Sequence, residues 1–115
     1  LEVSYFDINL WISAEMECVQ ISRVKASDAS NYLDKIVDVS NSEDWEVLHV
    51  KGVSNVPLVD LINSPEKVGS GSVLYCGNGH KSMAAVSFLS KRDIVTTDIA
   101  GGLSAMLVDS PDLEI

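Results

Sequence analysis

An α/β domain built on a mainly parallel sheet is the fold class this chain predicts, and three observations carry the prediction. Short apolar runs rich in β-branched residues recur at "ECVQISRV", "KIVDVS", "GVSNVPL", "SVLYC" and "DIVTTDI", as expected of strands buried on both faces of a parallel sheet. Segments with helical spacing and polar capping residues stand between them, so each strand is followed by a right-handed crossover to the next. The length of 115 residues suits one compact core rather than two.

Taken from the N-terminus, the elements follow from local chemistry. "ECVQISRV" reads as the first strand because Cys18, Val19, Ile21 and Val24 are apolar and β-branched types dominate. "ASDASNYLDK" reads as a helix that Ser27 or Asp28 can cap, with Ala29, Tyr32 and Leu33 as its apolar stripe. "KIVDVS" is the second strand. In "NSEDWEVLHV" Ser42 is the expected cap, followed by acidic residues in the first turn, where the helix dipole favours them. "GVSNVPL" is a brief strand stopped at Pro57, and "LVDLINSP" is a short helix ended by Pro65. The polar, glycine-rich "EKVGSGS" is a turn into the strand "SVLYC". From Lys81 to Lys91, the residues Met83, Ala84, Val86, Ser87 and Leu89 fall on one helical face. "DIVTTDI" is the last strand, and "AGGLSAMLV" turns through Gly101 and Gly102 into the last helix. Residues 1–19 fit the alternation least. Their "VSYFDINLWIS" mixes aromatic and β-branched residues with Asp7 and Asn9, as in a strand or hairpin added at a sheet edge, and Phe6 and Trp11 are expected to fill core.

Composition excludes several function classes. The formal net charge is −9, from 17 acidic and 8 basic residues, so a phosphate backbone would be repelled and nucleic acid is not an expected partner. No stretch approaches the ~18 apolar residues of a membrane-spanning helix, and Glu2 and Asp7 stand where a signal peptide would carry positive charge. A cytoplasmic location without a membrane partner is the expectation. The cysteines Cys18 and Cys76 are too few for a disulfide framework. His49 and His80 lack a second nearby cysteine, so no metal site is expected. "CGNGHKS" has the lysine and serine of a phosphate-binding loop but not the spacing between its glycines, and no cofactor is expected.

The stretch "VLYCGNGHKSMAAVSFL" carries the chemistry. Cys76 falls at the predicted carboxyl end of a strand, where ligands bind in open parallel sheets. Gly77, Asn78 and Gly79 can take backbone angles that turn successive N–H groups inward around the sulfur. The helix beginning near Lys81 or Ser82 directs its positive end at the same loop, and Lys81 adds a full charge. This setting favours the nucleophilic thiolate over an inert buried thiol. His80 is expected to face solvent, and Cys18 to serve packing.

The loop resembles that of the rhodanese, or sulfurtransferase, family, which commonly reads C-x-x-G-x-R-S; the matching residues are Cys76, Gly79, Lys81 and Ser82. A second family motif compares without a gap to "DVSNSEDWEVLHVKGVSNVP", with Asp38, Trp45, His49, Gly52, Asn55 and Pro57 in register. The closing G-G-hydrophobic-x-A-W is similar to "GGLSAM", with Met106 in place of tryptophan. Together these imply a rhodanese-like domain over residues 20–115, a central five-stranded, mainly parallel sheet flanked by helices, with residues 1–19 as an N-terminal extension. Ser40 and Lys81 stand where the family has arginines, and Leu48 and Lys51 replace a glycine and a proline. Lysine keeps the charge but loses the planar fork that grips an oxyanion.

The resemblance implies transfer of sulfane sulfur through a Cys76 persulfide, from thiosulfate or a persulfide donor to a thiol or cyanide, with a protein as a further candidate acceptor. Active-loop residues Gly77, Asn78, Gly79, His80, Lys81 and Ser82 would surround the substrate, and Asp38 and His49 would support the site. No general base is needed if Cys76 is already ionised. Two alternatives stand beside this reading. One is a non-catalytic binding module, which the missing arginines favour. The other is a phosphatase or arsenate reductase with a C-x5-R loop, which Ser82 at the arginine position disfavours.

Overall fold

The computed structural model describes residues 10–12 and 21–115. Its five strands are β1 (Arg23–Val24), β2 (Ile36–Asp38), β3 (Ser54–Asn55), β4 (Val73–Tyr75) and β5 (Thr97–Ile99). They form one sheet in the order β1-β5-β4-β2-β3, and every neighbouring pair is parallel. Four α-helices connect them or follow them: α1 (Ser42–Val47), α2 (Leu58–Asn63), α3 (His80–Ser90) and α4 (Gly102–Asp109). This is the α/β architecture the alternation predicts. The first-strand prediction is met at Arg23–Val24, while Cys18, Val19 and most of the proposed edge strand or hairpin lie outside the described residues. Residues 10–12 are helical rather than extended, and the Trp11 ring meets Phe88 edge-on with centroids 5.4 Å apart.

The central strand shows why the sheet needs two covered faces. Val73, Leu74 and Tyr75 are all buried, and side chains alternate along a strand. Leu74 and Cys76 enter one core with Leu58, Leu61, Ala85, Val86 and Leu89, under α2 and α3. Val73 and Tyr75 enter the other, with Ala26, Ala29, Ile36, Val50, Ile99 and Met106. Met106 replaces a tryptophan of the family pattern and is wholly buried there.

Three local expectations are corrected. Ala26–Lys35 is a 3₁₀ segment broken at Tyr32 (φ −120°, ψ 17°), not an α-helix, and neither Ser27 nor Asp28 caps it. Its Ser, Asp and Asn residues compete for backbone hydrogen bonds, and Leu33 of the expected stripe is exposed. On α1 the cap position is Asn41 rather than Ser42, with no side-chain cap bond. Helix α3 has no single apolar stripe, because every residue from Ala84 to Leu89 is buried. A helix covered nearly all round needs no amphipathic face, and α3 packs on both the sheet and α2.

Candidate functional site

Position comes first from strand β4, which ends one residue before Cys76 and points its side chain toward α3. The chain must then reverse into α3 within three residues. Gly79 makes this possible by taking the left-handed conformation at the helix cap (φ 96°, ψ −9°), which L side chains rarely adopt. The reversal brings the Gly79 N–H to the Cys76 sulfur at 3.2 Å. Asn78 Oδ1 lies 3.9 Å from the same sulfur and accepts the His80 N–H at 3.1 Å. One of the N–H groups expected to turn toward the sulfur is thus taken by Asn78.

The far side of the loop is held by α4. Leu103 N–H donates to the Cys76 carbonyl at 2.8 Å, and Ser104 donates to the Gly77 carbonyl through both its N–H and its hydroxyl, each at 3.0 Å. These bonds draw the loop carbonyls toward α4, away from the sulfur. Such an approach requires Gly102: a Cβ there would stand 2.2 Å from the Cys76 carbonyl oxygen and 2.9 Å from the Gly79 nitrogen. The glycine pair therefore does more than turn the chain, since it lets the α4 N-terminus dock onto the loop.

Above the sulfur is a pocket of about 270 Å³ lined by Ser40, Asp44, Cys76, Gly77, Asn78 and Lys81. Cys76 is 1% exposed and is one of the residues lining it. Asp44 from α1 and Lys81 from α3 put opposite charges into its lining without forming an ion pair among the described residues. A hollow of about 350 Å³ near Leu33, Val50 and Glu114 is larger but has no cysteine in its lining, so chemistry rather than volume selects the Cys76 pocket.

Asp38 holds Ser40, one of the residues lining this pocket. Its Oδ1 accepts the Ser40 N–H at 2.7 Å, and Asn55 Nδ2 donates to the carbonyls of both Asp38 and Ser40 at 3.0 Å. Asp38 Oδ2 is buried without a hydrogen-bond partner among the described residues. Beside it, burial pushes the Tyr75 hydroxyl far above its ordinary range; the Val50 N–H bond to it opposes this and the Asp38 carboxylate adds to it.

The other expected residues divide. His80 is exposed and outside the pocket lining, as its solvent-facing reading requires. His49 is not brought to Cys76: its ring stacks on Trp45, with centroids 3.8 Å apart, and its Nδ1 bonds to the Trp45 carbonyl. It lines a separate hollow with Glu46 and Lys51.

Sequence reasoning missed one buried chain of polar groups. Ser82 Oγ lies 3.7 Å from the Cys76 sulfur and 3.2 Å from the Gly79 carbonyl, and its hydroxyl donates to Asp98 Oδ1. Arg23 Nε donates to Asp98 Oδ2 at 2.9 Å, and the two residues are register partners on β1 and β5. Burial pushes the Asp98 carboxyl above its ordinary value, against the opposing pull of Ser82 and Arg23. Asp98 is an acidic residue inside the predicted strand "DIVTTDI", which was the available signal.

Residues 23–108 match the model of the Rhodanese-like domain. A Porphyra purpurea protein named as a probable molybdopterin-synthase adenylyltransferase is 26% identical over 98 residues, covering 79% of this chain and 24% of that protein. The chain thus spans about a quarter of that relative's length. A rhodanese-related protein from Thermoplasma volcanium superposes with a TM-score of 0.69 at 20% identity, over 77% of this chain and 93% of the other. A Rhodopseudomonas palustris protein of unknown function, described as a possible tyrosine phosphatase, superposes at 0.68 with 15% identity, over 100% of this chain and 98% of the other. At these identities the two structures report the fold alone.

Proposed function

Because the chain belongs to the rhodanese-like domain family, we propose that it moves sulfane sulfur through a Cys76 persulfide. The observation that carries this reading is the cysteine in the lining of an open pocket, with the Gly79 N–H on its sulfur and Lys81 in the same lining.

In the first step the Cys76 thiolate attacks the outer sulfur of thiosulfate or of a persulfide. The donor's S–S bond breaks, sulfite or a thiolate leaves with the electron pair, and Cys76 carries the outer sulfur as a persulfide. In the second step an acceptor thiolate or cyanide attacks that outer sulfur, and the Cys76 thiolate leaves. Lys81 and the positive end of α3 stabilise the negative sulfur in both steps. A relative named for an enzyme acting on molybdopterin synthase, itself a protein, supports a protein among the acceptors.

The second reading, a binding module, draws on the same pocket: Ser40 supplies no cation where the family has arginine, and Asp44 sets a negative charge facing any anionic donor. Phosphoryl transfer has less support, because Ser82 is buried against Asp98 at the position a C-x5-R loop gives to arginine.

Intact mass after incubation with thiosulfate, and separately with a low-molecular-weight persulfide, tests the proposal. The chain and its Cys18→Ser variant should gain one sulfur atom and lose it to cyanide, while Cys76→Ser should gain none. Absence of added sulfur from both donors would leave the binding module as the standing reading.

A further inference from the structure

The Ser82 hydroxyl has one proton and three acceptors around it: the Asp98 carboxylate, the Gly79 carbonyl and the Cys76 sulfur. A carboxylate is the strongest of the three. Asp98 is fully buried and is held against the Arg23 guanidinium, whose N–H fixes it as an acceptor on one oxygen. Its other oxygen takes the Ser82 proton. What Ser82 then offers to Cys76 is a lone pair, which can receive an S–H but cannot support a thiolate.

We propose that Asp98 is a positioning residue for Cys76: by drawing the Ser82 hydroxyl toward itself, it makes Ser82 an acceptor at the sulfur, a contact that opposes the thiolate without abolishing it. Gly79 N–H and Lys81 pull toward the thiolate, and the Asp98–Ser82 pair pulls against them. On the sulfur-transfer reading, on which this consequence rests, a persulfide escapes the restraint, because its charge moves to the outer sulfur, one bond farther from Ser82. The arrangement thereby favours the sulfur-loaded form over the free thiolate.

The test is the pH profile of Cys76 alkylation by iodoacetamide, in the full chain carrying Cys18→Ser so that one thiol reports. In Asp98→Asn, the Arg23 N–H claims the amide oxygen and turns the amide NH₂ toward Ser82. The Ser82 hydroxyl is then free to donate to an ionised sulfur. Alkylation at neutral pH should accelerate about tenfold, the size of a charge-assisted hydrogen bond, with the profile moving to lower pH. In a Ser82→Ala background the same substitution should change the rate by less than about twofold.

Ser82→Ala alone supplies the sign if Asp98→Asn does not fold. Loss of an acceptor for the S–H moves the profile down, whereas loss of a donor to the thiolate would move it up. The other charged groups nearby are Asp44 and Lys81 in the pocket wall, Arg23 beside Asp98 and Asp38 at the end of β2. They are the same in every variant and cancel in the comparison.

An unchanged profile in Asp98→Asn, an upward shift in Ser82→Ala, or an equal Asp98→Asn effect with and without Ser82 overturns the proposal. The last outcome would mean a through-space charge effect alone. Alkylation needs no sulfur donor, so a negative result here leaves the persulfide test untouched, and failure of sulfur loading leaves this one standing.

Discussion

Replacing Gly102 with alanine tests whether the glycine pair serves the active loop or only the turn. Two costs can be separated. The φ of +60° lies in the left-handed region, which costs an L residue about 1–2 kcal/mol. The new Cβ would also sit 2.2 Å from the Cys76 carbonyl oxygen. Contacts under 3.0 Å essentially never occur for real Cβ atoms, so the loop and α4 must separate by at least 0.8 Å, the difference between the two distances. Because the obstacle is backbone, no side chain can swing aside, and overpacking of this kind costs about 1–3 kcal/mol. The sum is about 2–5 kcal/mol. The same separation weakens the bonds from Leu103 and Ser104 to the loop carbonyls, and reactivity can fall about 100-fold for a 1 Å misplacement.

The control is Gly71→Ala. Gly71 has φ +91° with nothing within 4 Å of the point where a Cβ would stand, so it carries the conformational cost of about 1–2 kcal/mol and no collision. Urea unfolding and Cys76 alkylation of both variants supply the comparison. Gly102→Ala should be the less stable of the two and should lose Cys76 reactivity, while Gly71→Ala keeps it. Equal stability losses, with Cys76 reacting normally in both, would refute the docking argument and return Gly102 to a turn residue.

Other substitutions probe the groups around the pocket. Tyr75→Phe deprives the buried Val50 N–H of its acceptor at 3.0 Å, so unfolding should show a loss of about 1–3 kcal/mol; a change within ~0.5 kcal/mol would mean that this N–H finds another partner. Lys81→Arg restores the planar fork at the pocket wall, and thiosulfate loading should rise several-fold, up to about tenfold; slower loading would show that the pocket has no room for the fork. Because burial raises the Asp98 carboxyl above its ordinary 3.8, the folded chain binds that proton more tightly than the unfolded one. Its contribution is fully present below 3.8 and declines as pH rises through the folded value. The unfolding free energy of the wild type minus that of Asp98→Asn should therefore fall as urea titrations move upward from pH 4, and a rising difference contradicts the assignment.

Much of the fold was readable because burial on both faces leaves an unmistakable mark. "KIVDVS" and "SVLYC" carry the β-branched or apolar residues Ile36, Val37, Val39, Val73 and Leu74, and they became the paired inner strands β2 and β4. The helices were harder where tertiary contacts outweighed local pattern. Ala26–Lys35 has enough helical spacing to suggest an α-helix, yet its short polar side chains and exposed Leu33 leave too little buried surface to hold one. In α3 the opposite holds: complete burial erases the face that periodicity would detect.

The site was legible only where it is local. Cys76, Gly79 and Lys81 lie within six residues, and their spacing already specifies a strand end, a reversal and a helix start. The Asp98–Arg23 pair joins residues 75 apart in sequence, and what brings them together is the parallel register of β1 on β5. Sequence alone presents Asp98 as an acidic residue in one predicted strand and Arg23 as a basic residue in another. Only the sheet order puts Asp98 one strand away from the cysteine strand, where Ser82 from α3 can bridge them. The helix that supplies the positive end also delivers a hydroxyl, and Asp98 on the neighbouring strand takes that hydroxyl's proton.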